Sequence, residues 1–158
     1  MKTFKTLIAF ALILLGTQGC IDKCGKDCIT PPQPIWLKIV DSSNGSNLIS
    51  EEYFHRDSIK VFYFENEQKQ FANIKFVGNF RVNDIIETNI TLHLPTDKLN
   101  TAYLYLNQYD IDTITFRTTK SSDDCCTSYP LDSISINGKP VDVDPVDFSF
   151  LIKKEVLK

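Results

Sequence analysis

The sequence is poor in the features that announce chemistry. It has two histidines and one tryptophan. It contains no Gly-x-Ser-x-Gly elbow, no His-Glu-x-x-His pair and no glycine-rich phosphate cradle. No apolar run reaches the about 20 residues a membrane-spanning helix needs. No helical 3.6-residue period persists, and no segment repeats another. Basic clusters are missing too: 17 basic residues stand against 20 acidic ones, a net charge of −3. These absences remove the recognisable hydrolase, metalloprotease and nucleotide-binding signatures. They also argue against nucleic acid as a partner. No catalytic residue and no cofactor is expected, and an enzyme with a site invisible in sequence is the weaker expectation.

What is present begins at the N-terminus. Lys2 and Lys5 give a positive start, Leu7 to Leu15 is a run of nine apolar residues, and Gly16-Thr17-Gln18-Gly19 is a small, polar exit. This is the pattern of a secretory signal over residues 1–19. Cys20 follows at once. A Cys in that place resembles the lipobox of bacterial lipoproteins, in which it is acylated and becomes the first residue. Thr17 stands where such boxes usually have Leu, and relaxed boxes of this kind resemble those of Bacteroidota. Ordinary cleavage after Gly19 is the alternative, since Thr17 and Gly19 also form a small-x-small site. The chain has five Cys. With Cys20 lipidated an even set remains, which suits an oxidising compartment. The resemblance implies a cell-envelope protein held on a membrane by lipid, on the outer membrane, with its periplasmic or surface face left open.

Residues 20–33 read as a polar, flexible tether ending in the stiff Pro31-Pro32. The domain is expected over 34–158. Aromatic and β-branched residues are plentiful and alternate. Ile35, Leu37 and Ile39 mark a first strand, and Asn44-Gly45 a hairpin turn. Ser58 to Glu65 carries Ile59, Val61 and Tyr63 on one face and Phe62 and Phe64 on the other, as in a central strand. Gln70 to Val77 reads as one strand. Thr88 to Leu94 reads as another, with Ile90, Leu92 and Leu94 inward. Ala102, Leu104 and Leu106 alternate with Tyr103 and Tyr105. Ile111 to Thr118 follows, then a polar loop over Lys120 to Tyr129. Leu131 to Ile136, a second turn at Asn137-Gly138 and a last strand from Phe148 complete the chain. Roughly seven to nine short strands at near-regular spacing predict an all-β fold, a single antiparallel β-sandwich of immunoglobulin-like or transthyretin-like type. A small barrel is the alternative.

Two further stretches, I-W-L-K-I-V-D-S-S-N-G and the order D-T-[strand]-C-C-[strand]-N-G over Tyr109 to Lys139, resemble small cell-envelope lipoproteins of Bacteroidota. That resemblance covers about a third of the chain. It implies an envelope β-sandwich and carries no activity.

Four Cys remain as disulfide candidates: Cys24, Cys28, Cys125 and Cys126. Adjacent residues of an extended chain point to opposite faces, so a Cys125–Cys126 bond would need a strained turn. The favoured pairing joins Cys24 and Cys28 each to one of Cys125 and Cys126. It closes loops of roughly 100 residues, each contributing about 4–5 kcal/mol in the chain-entropy model. Local pairing is the alternative. A four-thiolate zinc site is disfavoured because a Cys-Cys dipeptide is a poor tetrahedral chelate. Asp142, Asp144 and Asp147 can be read as a calcium loop or as a solvated turn; the missing EF-hand Gly and Glu favour the turn. Asp-[Ser/Thr]-Ile occurs at Ser58, Thr113 and Ser133, and resembles the O-glycosylation signal of Bacteroidota envelope proteins. The expected role is binding or assembly, with another envelope protein or a glycan as partner. Tyr103, Tyr105, Tyr109 and Trp36 are the candidate contact residues; for Tyr103 and Tyr105, burial on the second face of a central strand is the favoured reading.

Overall fold

The computed structural model describes residues 28–78, 84–122 and 126–156. The signal, Cys20, Cys24, the Gly78-Asn79 turn in part, Cys125 and Leu157 lie outside the described residues. In chain order the strands are β1 (Cys28–Ile29), β2 (Ile35–Asp41), β3 (Lys60–Glu65), β4 (Gln68–Ala72), β5 (Ile74–Val77), β6 (Ile85–Thr88), β7 (Asn100–Asn107), β8 (Asp110–Thr118), β9 (Ser121–Ser122), β10 (Cys126–Ser128), β11 (Leu131–Ile136), β12 (Lys139–Pro140), β13 (Asp142–Val143) and β14 (Phe150–Lys154). Two single turns of 3-10 helix, Arg56–Ser58 and Ile90–Leu92, interrupt them. No α-helix occurs among the described residues.

The strands form a six-stranded sheet in the order β12-β11-β8-β7-β3-β4 and a five-stranded sheet in the order β13-β14-β2-β6-β5. A small third sheet joins β1, β10 and β9. The two large sheets pack as a sandwich and do not close into a barrel. Period-two alternation sends Val61, Ala102, Leu104, Leu106, Ile114 and Phe116 inward from one sheet, and Ile35, Leu37, Ile39, Ile86 and Ile152 from the other. Pairing is mostly antiparallel. The exceptions are β1 with β10, and the last strand β14, which runs parallel to β2 with Ile152 opposite Ile39.

The chain changes sheets at single residues. The expected strand over Gln70 to Val77 is divided at Asn73: Ala72 pairs with Val61 in one sheet and Ile74 with Thr88 in the other. The same happens at Val141, between β12 and β13. Corners of this kind let one continuous apolar run serve both layers.

The stretch Thr88 to Leu94 is not a strand. β6 ends at Thr88, and Ile90–Leu92 forms a 3-10 turn. With three residues per turn, positions i and i+2 no longer share a face. Ile90 and Thr91 are buried, whereas Leu92 is 53% exposed. Thr91 spends its hydroxyl on the Gln33 carbonyl, at 2.8 Å. Asn44-Gly45 does turn the chain, with Gly45 at φ +76°, but only Val40 and Asn47 bridge across it. The residues beyond it coil into turns that bury Leu48, Ile49 and Phe54. Asn137-Gly138 makes a true two-residue hairpin, both at positive φ, between Ile136 and Lys139. Phe148 lies before the last strand and is exposed.

Candidate functional site

The solvent-facing side of the six-stranded sheet carries an aromatic cluster. Alternation along β3 turns Phe62 and Phe64 away from the core. The antiparallel register sets Tyr103 of β7 opposite Phe62 on one side and Phe71 of β4 opposite it on the other. Phe62 and Tyr103 stack with centroids 5.0 Å apart. Phe64 meets both edge-on at 5.9 and 5.8 Å, and Phe71 meets Phe62 at 6.2 Å. These are the favoured geometries of aromatic pairs. The Lys69 ammonium sits 3.7 Å above the Phe62 ring and 5.3 Å from Phe71, and Lys60 approaches Phe71 at 6.0 Å. Phe62 is buried by these neighbours, but Phe64 and Phe71 remain 52% and 59% exposed. Beside the cluster, Phe64 and Tyr103 form one wall of a cleft of about 360 Å³. Leu94, Pro95, Lys98 and Leu99 form the other.

The four aromatics named from sequence do not converge. Tyr103 belongs to the cluster, and Tyr105, half-buried, shares its strand face opposite Lys60. Tyr109 stands 90% exposed in the β7–β8 turn. Trp36 lies on the other sheet, where its indole N–H donates to Glu87 at 3.2 Å. Phe62, Phe64 and Phe71 were missed as contact residues. β3 is a central strand, between β7 and β4, as its two apolar faces predict, but of its outward aromatics only Phe62 is buried. Among the described residues no layer covers this face.

The remaining candidates are held by local partners. Cys28 and Cys126 form a disulfide, which takes two of the four thiolates a zinc site would require and rules out local pairing. One arm of the favoured cross pairing is therefore present; Cys24 and Cys125 lie outside the described residues. The acidic triplet is paired with two lysines. The Lys38 ammonium donates to Asp144 at 2.7 Å and Asp147 at 2.8 Å, and Lys153 holds Asp142 at 2.7 Å. For Lys38, burial disfavours the charge, but the two carboxylate hydrogen bonds outweigh it and raise the pKa. Asp144 is held below the usual carboxylate range by Lys38 and the Val146 N–H. Asp147 is lowered as well: burial opposes this, and hydrogen bonds from Lys38 and Ser149 prevail. Exposed Asp142 is lowered by Lys153.

A second clasp binds the Lys154 ammonium to Asp110 and buried Asp112, and Asn137 donates its side-chain amide to the same Asp112 at 2.7 Å. A third joins Arg56 and the Ser50 hydroxyl to buried Asp84, in a polar cleft of about 500 Å³ that also includes Glu52 and His55. His93 stacks on Tyr63. No group of three or more His, Cys, Asp or Glu stands close enough to share a metal ion among the described residues.

The three glycosylation candidates differ in access. The Ser58 hydroxyl lies within hydrogen-bond distance of the carbonyls of Leu106 and His55, at 2.9 and 2.7 Å, and its one proton serves them both. Thr113 is half-buried opposite Tyr103. Ser133 is exposed, beside an irregularity in the β11–β8 pairing.

No family model, no curated protein and no solved structure matches the chain.

Proposed function

We propose that this chain is a lipid-anchored cell-envelope binding module, and that the aromatic face of its six-stranded sheet takes a glycan. The observation that carries the reading is the pair of half-exposed phenylalanines, Phe64 and Phe71, gathered around Phe62 and Tyr103 beside an open cleft. Exposed apolar clusters on a soluble face mark interaction sites. Aromatic rings offer flat apolar surface to the C–H faces of sugar rings, while Lys98 and Thr101 at the cleft supply donors for hydroxyl groups. The leader, Cys20 and the resemblance to Bacteroidota lipoproteins support the anchor and the outer-membrane location. The clasped carboxylates support binding over catalysis, because the best-placed acids already hold lysines.

The test is binding of envelope polysaccharides to the purified protein by calorimetry. Phe64→Ala and Tyr103→Ala are each expected to weaken binding about ten-fold, as loss of one stacking contact would. Binding unaffected by both variants, or no binding to any glycan, would move the search to an envelope protein as partner. Intact mass of the membrane-extracted protein checks the anchor: diacylglyceryl and acyl additions on Cys20 support it, and an unmodified Cys20 removes it.

A further inference from the structure

Strand β4 ends the six-stranded sheet, and nothing among the described residues pairs with its outer side. It reaches β3 through Asn66-Glu67, both at positive φ, so Glu65 and Gln68 close a two-residue turn. Antiparallel ladders alternate from that closing pair. Gln68, Gln70 and Ala72 therefore turn their backbone groups toward β3, and Lys69 and Phe71 turn theirs outward. Such an edge is a template for another strand. The usual obstacles are few: β4 has no proline, no bulge in its pairing and a single charge, Lys69.

We propose that this edge pairs with the same edge of a second copy of the chain, centred on Gln70. An isologous contact pairs each position with its mirror across the two-fold axis. Centring on Lys69 would oppose two like charges, which is destabilising. Centring on Phe71 would run the pairing into Asn73, where the chain leaves for the other sheet. Centring on Gln70 uses all of β4 and sets Lys69 across from Phe71 twice. Each ammonium already lies 5.3 Å from its own Phe71 ring, so it gains a second ring without leaving the first. This charge-to-ring complementarity, present in one register only, identifies a second copy as the occupant. The two sheets then join edge to edge, with their aromatic clusters side by side. The pairing does not depend on a glycan binding at Phe64 and Tyr103.

In this register Gln70 meets its own copy in a non-hydrogen-bonded pair, with Cα atoms about 4.5 Å apart, within disulfide range. Full-length Gln70→Cys protein in envelope membranes is expected to give a non-reducing gel band at twice the monomer mass. Wild type and Thr101→Cys, on the neighbouring interior strand β7, are expected to give none. Adding Phe71→Pro removes an outward N–H while sparing the bonds to β3, and should abolish the band. Light scattering on the wild-type protein in detergent should report a dimer, and Lys69→Gln should weaken it about ten-fold. A monomeric wild type at high micromolar concentration, equal crosslinking from Thr101→Cys, or a band that survives Phe71→Pro would each overturn the proposal. Phe64→Ala leaves the crosslink in place even where it abolishes glycan binding, so the two readings fail separately.

Discussion

Cys28 and Cys126 stand 98 positions apart in the chain and 4.5 Å apart at their Cα atoms, opposite each other on two short parallel strands. β1 is two residues long and exposed, so burial contributes little to its docking. The disulfide holds it, with help from the Thr30 N–H on the Thr127 carbonyl at 2.8 Å. Closing a loop of this length removes about 4–5 kcal/mol of unfolded-state entropy in the chain model. Cys126→Ser should therefore lose about 4 kcal/mol in denaturant unfolding, and amide exchange at Thr30 should accelerate. A non-reducing peptide map is expected to join Cys24 to Cys125 as the second bridge. A peptide joining Cys24 to Cys28 would contradict the cross pairing.

The Lys38 clasp should make stability depend on pH at both ends. Asp144 and Asp147 have folded pKa values below the ordinary carboxylate value of about 3.9. Their contribution is present above that value and is lost as pH falls through the lowered values. Lys38 is raised above about 10.4, so its contribution holds below that value and is lost as pH rises through the raised one. Lys38→Met leaves two carboxylates close together and largely buried. It should cost about 2–3 kcal/mol at pH 7. Its stability should also fall less steeply than that of wild type as the pH drops below about 4. Urea midpoints between pH 3 and 7 check this, and parallel acid limbs for the two proteins would show that the clasp is not coupled to folding.

Asn137 serves both as turn residue and as buckle. Its φ of +51° suits the first position of the hairpin. Its side-chain carbonyl accepts the Thr113 N–H at 2.8 Å, and its amide reaches Asp112, which also holds Lys154. Asn137→Gly keeps the backbone freedom and loses only the side-chain bonds, at about 1.5 kcal/mol. Asn137→Ala adds left-handed strain and should cost about 1 kcal/mol more. Thermal unfolding of the two variants reads the order. Equal losses would mean the side chain carries all of the effect.

The layers of the fold were legible because each strand states its inner face by alternation. Ile35-Leu37-Ile39, Ala102-Leu104-Leu106 and Ile114-Phe116 lie where their period put them. Pairing across sheets was not legible. Nothing local in Gln70 to Val77 marks Asn73 as a corner, since both halves remain extended. Ile90-Thr91-Leu92 has the β-branched composition of a strand, and tertiary burial of Ile90 overrides it. The clasps are not legible in the sequence because Lys38 and Asp144 are 106 positions apart, and only the parallel docking of β14 on β2 brings their neighbourhood together. The aromatic face is legible as residues, and β3 is central as its two apolar faces predict, but alternation shows that two faces are apolar and not whether a second layer covers both.

Modification at the three Asp-[Ser/Thr]-Ile sites should follow hydroxyl access rather than motif. A transferase must reach the side-chain oxygen. At Ser58 the hydroxyl proton is already engaged, lying between the His55 and Leu106 carbonyls, and a sugar on that oxygen would remove the donor from both. At Thr113 a sugar would have to grow beside Tyr103 and across the aromatic face. At Ser133 the ladder slips: Leu131 pairs with Thr118 and Ser133 with Arg117, so Asp132 has no partner of its own in the register. Asp132 and Ser133 are both exposed there, as the acceptor and its flanking acid must be for an enzyme to read them. Glycopeptide mass spectrometry of the native protein is therefore expected to find sugar on the peptide containing Ser133 and an unmodified peptide at Ser58. Sugar on Ser58 with none on Ser133 would mean that modification precedes folding, since the folded chain offers the hydroxyls in the opposite order.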